Sequence, residues 1–155
     1  MTIGLVSCVK TKLTSPAKAG DLYISSLFKK SREWAENHCD KWYVLSAKHG
    51  LLHPEQLVEP YELTLKLLSA ADRKRWAGRV YEMMDDAGLL KPVSHFIWLA
   101  GRDYSQELGR LLKPYRQTDP LMGLRMGNRL KWLGKQLVKD CSRTKRDIFI
   151  SKSME

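Results

Sequence analysis

Val44-Leu45-Ser46-Ala47-Lys48-His49-Gly50-Leu51-Leu52-His53-Pro54 is an apolar run that breaks abruptly into polar residues. The spacing predicts a strand from Trp42 to Ser46, followed by a loop through Val58-Glu59-Pro60-Tyr61-Glu62-Leu63-Thr64. That loop offers a hydroxyl, an ammonium, an imidazole, a phenol and a carboxylate, with little predicted regular structure to occupy them. In parallel α/β proteins ligands bind at the carboxyl ends of strands, so the segment marks a sheet edge and a candidate site together.

The flanking sequence repeats the pattern. Thr2-Ile3-Gly4-Leu5-Val6-Ser7-Cys8 has the form of a buried parallel strand closed by small polar residues, and it opens into a lysine-rich loop from Val9 to Gly20. From Asp21, Leu22, Ile24, Leu27, Phe28, Trp34 and Ala35 recur at near-helical spacing to about His38. Ser69-Ala70-Ala71-Asp72 caps a second predicted helix through Trp76, Val80, Met83 and Met84 that stops at Gly88. Val93 to Ala100 reads as a strand, Gly101-Arg102-Asp103-Tyr104 as the turn into a helix reaching about Lys113, and Tyr115 to Thr118 as a short strand. A final helix follows Pro120-Leu121-Met122-Gly123. Strands alternating with helices, too far apart for hairpins, imply right-handed crossovers. The expected fold is a three-layer α/β domain with a mostly parallel four-stranded sheet and helices on both faces. It spans residues 1–145, with 146–155 as a basic, frayed tail in which Ile148-Phe149-Ile150 docks back onto the body.

Bulk properties narrow the function classes. At 155 residues the chain suits one domain, and 43% hydrophobic with 28% charged residues is the composition of a folded globule. No apolar run approaches the roughly 20 residues that span a bilayer, and Thr2 to Val9 is too short for a signal-peptide core. Cys8, Cys39 and Cys141 are odd in number and widely spaced, which argues for a reducing compartment over a disulfide framework; Cys39 and Cys141 read as buried thiols. A cytoplasmic location is expected. No CxxC or HExxH spacing occurs, so no metal is expected, and the absence of Walker A and GxGxxG sequences disfavours standard ATP or NAD sites. No cofactor is therefore assigned.

The net charge of +10 is concentrated in two places: residues 1–32 carry +5 and residues 129–152 carry +6, while 33–128 sum to zero. If the fold gathers these segments, they form one polyanion-binding surface. On the final helix Met126, Leu130, Leu133, Leu137 and Cys141 form a packing stripe, and Arg125, Arg129, Trp132, Gln136, Lys139 and Arg143 form a cationic stripe with an aromatic among the charges. Such a stripe suits a phosphate backbone, and it equally describes the solvated face of an ordinary amphipathic helix.

The candidate chemistry lies in strand-end loops. Ser7-Cys8-Val9-Lys10-Thr11-Lys12 alternates small polar residues with lysines and suits a phosphate or a polar base. Cys8 is a nucleophile if cations lower its pKa, or a small packing residue. In the central loop Ser46, Lys48 and His49 are donors, Tyr61 a stacking ring and Glu62 a carboxylate, although Glu62 also reads as a helix-terminal charge and His49 as structural. Asp103 is a carboxylate above the sheet or a plain N-cap, and Tyr104 a stacking or packing ring. Arg125 and Arg129 enter from the final loop and helix.

In their order, Ser-Cys-x-Lys-x-Lys, Asp-Leu-Tyr-x-Ser-x-Leu-Phe, Leu-Ser-Ala-Lys-His-Gly-Leu-Leu-x-Pro, Pro-Tyr-Glu-x-Thr-Leu, Leu-Ala-Gly-x-x-Tyr and Pro-Leu-x-Gly-Leu resemble a small bacterial and phage family of domains of unknown function. The central motif is similar to that of YaaA-like peroxide-stress proteins. The resemblance covers residues 3 to about 135 and implies an α/β domain with a polar cleft concerned with nucleic acid or modified bases. In that family the position of His49 often looks like Tyr and that of Glu62 like Asp, which weakens His49 as an obligatory base and keeps the acid. The architecture also resembles the uracil-DNA glycosylase superfamily, whose Gly-Gln-Asp-Pro-Tyr-like and His-Pro-Ser-like loops are not recognisable here; this is an analogy of fold. The expected function is a DNA-directed N-glycosylase, acting on a base that is either unmodified or of the modified kind met in phage defence. Glu62 or Asp103 is the acid, Lys48 or His49 the donor and Tyr61 or Tyr104 the ring, while Lys10, Lys12, Arg125 and Arg129 grip phosphates. A non-enzymatic DNA-binding protein and a hydrolase of free nucleosides or nucleotides are the alternatives.

Overall fold

In the computed structural model, residues 1–153 are described as backbone and residues 1–144 with their side chains. A central strand, β1 (Thr2–Ser7), lies between two parallel neighbours, β3 (Lys41–Ser46) and β6 (His95–Leu99). β7 (Arg116–Thr118) adds in parallel outside β6, and β4 (Gly50–Leu52) adds antiparallel outside β3, giving the order β4-β3-β1-β6-β7. The sheet is thus mixed and five-stranded, and the expected four-stranded sheet lacked β4. A two-stranded antiparallel ribbon, β2 (Ala17–Lys18) with β5 (Leu57–Val58), stands apart from it.

The missed strand has a local cause. Ala47-Lys48-His49 is a hairpin turn without the Asn-Gly or Asp-Gly signal that marks two-residue hairpins. Gly50 closes it at φ +76°, a backbone region L side chains rarely adopt, and a Cβ there would lie 2.9 Å from Met83 Sδ. Leu51 and Leu52, now buried, pair with Leu45 and Val44.

Helices cover both faces. α1 (Ala19–Leu22) is a single turn, and α2 (Ser26–His38) begins only after Ser25, whose hydroxyl accepts the Phe28 N–H at 3.2 Å. The single helix expected from Asp21 is therefore two elements. Tyr23 is extended and bridges to Lys12, which diverts its ring into the core. α2 sits close on β1 because Gly4 has no side chain: a Cβ there would meet Ala35 Cβ at 3.1 Å and Cys39 Sγ at 3.2 Å. A 3-10 turn (Leu65–Leu67) leads to α3 (Ala70–Asp86), capped by Ser69, whose hydroxyl accepts the Asp72 N–H at 3.1 Å. α4 (Arg102–Leu111) joins β6 to β7, and α5 (Met126–Ser153) follows. α2 packs with α5 and α3 with α4, the two-faced arrangement that right-handed crossovers from a central β1 require.

α5 corrects several expectations. Its backbone continues through Ser153 in place of a frayed tail, and the docking of Ile148-Phe149-Ile150 concerns side chains outside the described residues. Met126 is 64% exposed and Cys141 exposed, so the packing stripe narrows to Leu133 with partly buried neighbours. Trp132 lies 5.9 Å from Trp34, which stacks on His38 at 4.5 Å. With the His38–Asp140 contact of 2.9 Å, this aromatic group fastens α5 to α2, so Trp132 is a packing residue. Cys39 is half-buried, and burial pushes its thiol up to about 11. Among the described residues no helix is long and apolar enough to cross a membrane.

Candidate functional site

From β1 the chain leaves through α2 to β3, then returns across the sheet through α3 to β6. This puts the topological switch point between the carboxyl ends of β1 and β6. A cleft of about 550 Å³ opens there, within the ~300–1,000 Å³ usual for small-molecule sites. Its walls come from Ser7 at the end of β1 with Cys8 and Lys10 after it, Thr64 to Lys66 before α3, Gly101, Asp103 and Tyr104 after β6, and Arg129 of α5; Phe28, Leu99 and Leu121 contribute apolar surface.

Of the residues singled out from sequence, Ser7, Cys8, Lys10, Asp103, Tyr104 and Arg129 are brought together. Cys8 Sγ and Tyr104 OH are 3.1 Å apart and buried, and the Tyr104 ring stands edge-on to Trp76 at 5.6 Å. Burial, with the Cys8 sulfur beside it, drives the Tyr104 hydroxyl far above the usual phenol range, so it stays protonated. Asp103 does not cap α4, whose N-cap is Gly101 without a side-chain bond. Its Oδ1 lies 3.7 Å from Arg73 Nη1, both side chains about one-third exposed. Asp103 is the one carboxylate in the described lining.

Five of the remaining candidates form a second group around Tyr61. Tyr61, 7% exposed, has its hydroxyl 2.6 Å from both Ser46 Oγ and Tyr23 OH, and Ser46 Oγ also accepts the His49 N–H at 3.0 Å. Tyr61 is therefore a buried anchor in place of the free stacking ring the sequence suggested. Lys12 Nζ lies 4.8 Å over the Tyr61 ring and Lys48 Nζ 5.9 Å, while His49 meets the ring edge-on at 5.2 Å. Desolvation pulls the Lys12 ammonium below its ordinary value, against the attraction of Cys8 and Glu62. Burial and the charges of Lys48 and Arg79 hold the His49 imidazole below its ordinary value, and its buried Nε2 has no partner among the described residues. Glu62 and Arg125 are exposed and lie outside the cleft lining.

Sequence reasoning missed Thr64, Lys66 and Arg73. Arg73 donates to the carbonyls of Leu65 (2.8 Å) and Lys66 (3.0 Å), holding the 3-10 turn as one wall while facing Asp103. Nothing in the local pattern announces this, because Arg73 sits on what reads as the solvated face of a helix. Among the described residues no three His, Cys, Asp or Glu side chains converge as metal ligands would.

The chain is 34% identical over 120 residues to the uncharacterized protein YfjM of Bacillus subtilis (strain 168), covering 70% of this chain and 75% of that one. A family model matches residues 3–135, from the start of β1 into α5. The chain belongs to this family of unknown function, DUF6884.

Proposed function

We propose that this protein is a DNA-directed N-glycosylase that hydrolyses the bond between a base, modified or not, and its sugar. The observation that carries the reading is Asp103, the single carboxylate in the described lining of a mostly apolar cleft with cations at its rim, at the switch point. A flipped base would enter between Phe28, Leu121 and Tyr104. Asp103, oriented by Arg73, would hold the attacking water and stabilise the cationic sugar as the base departs with the bonding electrons. Lys10 or the protonated Tyr104 would donate to the departing base. This assigns the acid to Asp103 over Glu62, and the donor to the cleft over Lys48 and His49.

The cationic surroundings favour a polyanionic substrate. Besides Lys10, Lys66 and Arg129 at the cleft, Lys30 of α2 and Lys131, Lys135 and Lys139 of α5 ring a groove floored by Leu130 and Val138, with no carboxylate in its described lining. The free cysteines accord with a cytoplasmic setting.

The test is to incubate natural and phage-modified DNA with the protein, then to score abasic sites and identify released base by mass spectrometry. Asp103→Asn should abolish release and Glu62→Gln should retain most of it. No abasic site in any DNA overturns the assignment. Enclosure of the cleft by five chain segments favours a free nucleotide as a second reading; in that case nucleotides are hydrolysed and duplex DNA does not compete.

A further inference from the structure

A second cavity, of about 570 Å³, lies beside the cleft and shares Leu124 and Arg129 with it. Its far wall is the exposed start of α4, with Arg102, Ser105 and Gln106, and its floor is the turn that begins at Asp119. Arg129 donates Nε–H to the Leu124 carbonyl at 2.8 Å, which fixes the guanidinium on the partition and leaves its Nη groups without a hydrogen bond among the described residues. Arg102 likewise pairs with no carboxylate among the described residues. The one acid in the described lining, Asp119, is held by the turn, where Oδ1 accepts the Leu121 N–H at 3.0 Å, and it also feels the charge of Arg129 without a hydrogen bond to it. Two guanidinium groups, a hydroxyl and an amide thus border a space contiguous with the cleft.

We infer that this cavity is a phosphate subsite for the same ligand: with a nucleotide's base and sugar in the β1–β6 cleft, its phosphate is taken by Arg102 and Arg129. The inference rests on the reading of the cleft as a nucleotide site. Guanidinium is the suitable group because its planar fork meets two phosphate oxygens at once, which an ammonium does not. Arg129, touching both cavities, sets the register between base and phosphate. Arg102 touches only the phosphate side and so reports on the subsite alone.

Two measurements test this. Inorganic pyrophosphate, titrated into the ¹⁵N-labelled protein, should shift the side-chain Nε–H signals of Arg102 and Arg129 together with one dissociation constant, while Arg75, paired with Asp72 on α3, stays still. Arg102→Ala should weaken oligo(dT) binding about tenfold and lower the salt dependence by about one phosphate contact, with Arg102→Lys recovering only part. An uncharged methylphosphonate oligomer should bind wild type and Arg102→Ala alike. Independent shifts of the two arginines, or an oligonucleotide affinity indifferent to Arg102, overturn the subsite. If Arg102 governs binding but no base is ever released, the glycosylase reading fails and the subsite stands; if base is released and Arg102→Ala binds normally, the reverse holds.

Discussion

Tyr61→Phe removes one oxygen from the buried hydroxyl chain that joins Ser46, Tyr61 and Tyr23. That oxygen makes two contacts of 2.6 Å, and the side chains of Ser46, Tyr23 and Tyr61 are 0%, 1% and 7% exposed. Ser46 Oγ keeps the His49 N–H, so it loses part of its bonding, about 0.5–1.5 kcal/mol. Tyr23 loses its 2.6 Å partner while remaining out of reach of water, which costs about 1–3 kcal/mol. The expected loss is about 2–3 kcal/mol, or roughly 30- to 150-fold in the unfolding equilibrium. Urea unfolding followed by tryptophan fluorescence and far-ultraviolet dichroism measures it, with the denaturant slope unchanged. Combining the change with Tyr23→Phe should cost about 1 kcal/mol less than the sum of the single changes, because removing both phenols leaves fewer orphaned groups. A loss under about 0.5 kcal/mol at unchanged slope, or strict additivity, refutes the hydroxyl chain as a stability element.

Other outcomes follow from the same geometry. Gly50→Ala should destabilise by about 1–3 kcal/mol, and trimming Met83 to Ala should relieve the 2.9 Å clash but not the positive φ; full rescue would show that the backbone carries no strain. Burial raises the phenols of Tyr23, Tyr61 and Tyr104 above their ordinary 10.0, so the unfolded chain releases protons that the folded one keeps. Stability is then complete below pH 10.0 and falls as pH rises above it, by up to about 1.4 kcal/mol per pH unit for each tyrosine; a urea midpoint flat across that range counts against buried phenols. His49 should titrate below 6.5 by NMR. Its contribution to stability is present above 6.5 and is lost as pH falls through the lower folded value, and a midpoint at or above 6.5 would overturn its placement.

How much of this was legible in the sequence depended on how local its cause was. β1, β6 and α3 were readable because their apolar spacing and, in α3, the Ser69 cap act within a few residues. The start of α2 was not, because Leu22 and Ile24 continue a helical spacing that only the Ser25 cap and the Lys12–Tyr23 bridge interrupt. Ser7, Cys8, Asp103 and Tyr104 could be placed at one edge because parallel strands end there together. The roles within the central motif were harder. A phenol and a hydroxyl in a polar loop look like site residues until the fold turns Tyr61 and Ser46 toward each other and away from solvent. Arg73 was missed and Trp132 misread for the converse reason, since the partner that defines each, Asp103 or Trp34, is remote in sequence.

The location of the cleft has a consequence for how the chain reaches its working form. Cys8, Leu65, Asp103 and Arg129 belong to four segments separated by every crossover of the sheet, so no excised piece of the domain assembles their walls. A fragment that stops short of Arg129 can complete the five strands and still lack one side of the cleft together with the partition it shares with the neighbouring cavity. The residues of the five strands thus precede, in the chain, the residue that closes the site. A ligand that needs all four walls binds only chains in which α5 has already docked on α2, and it stabilises that docking in proportion to its occupancy.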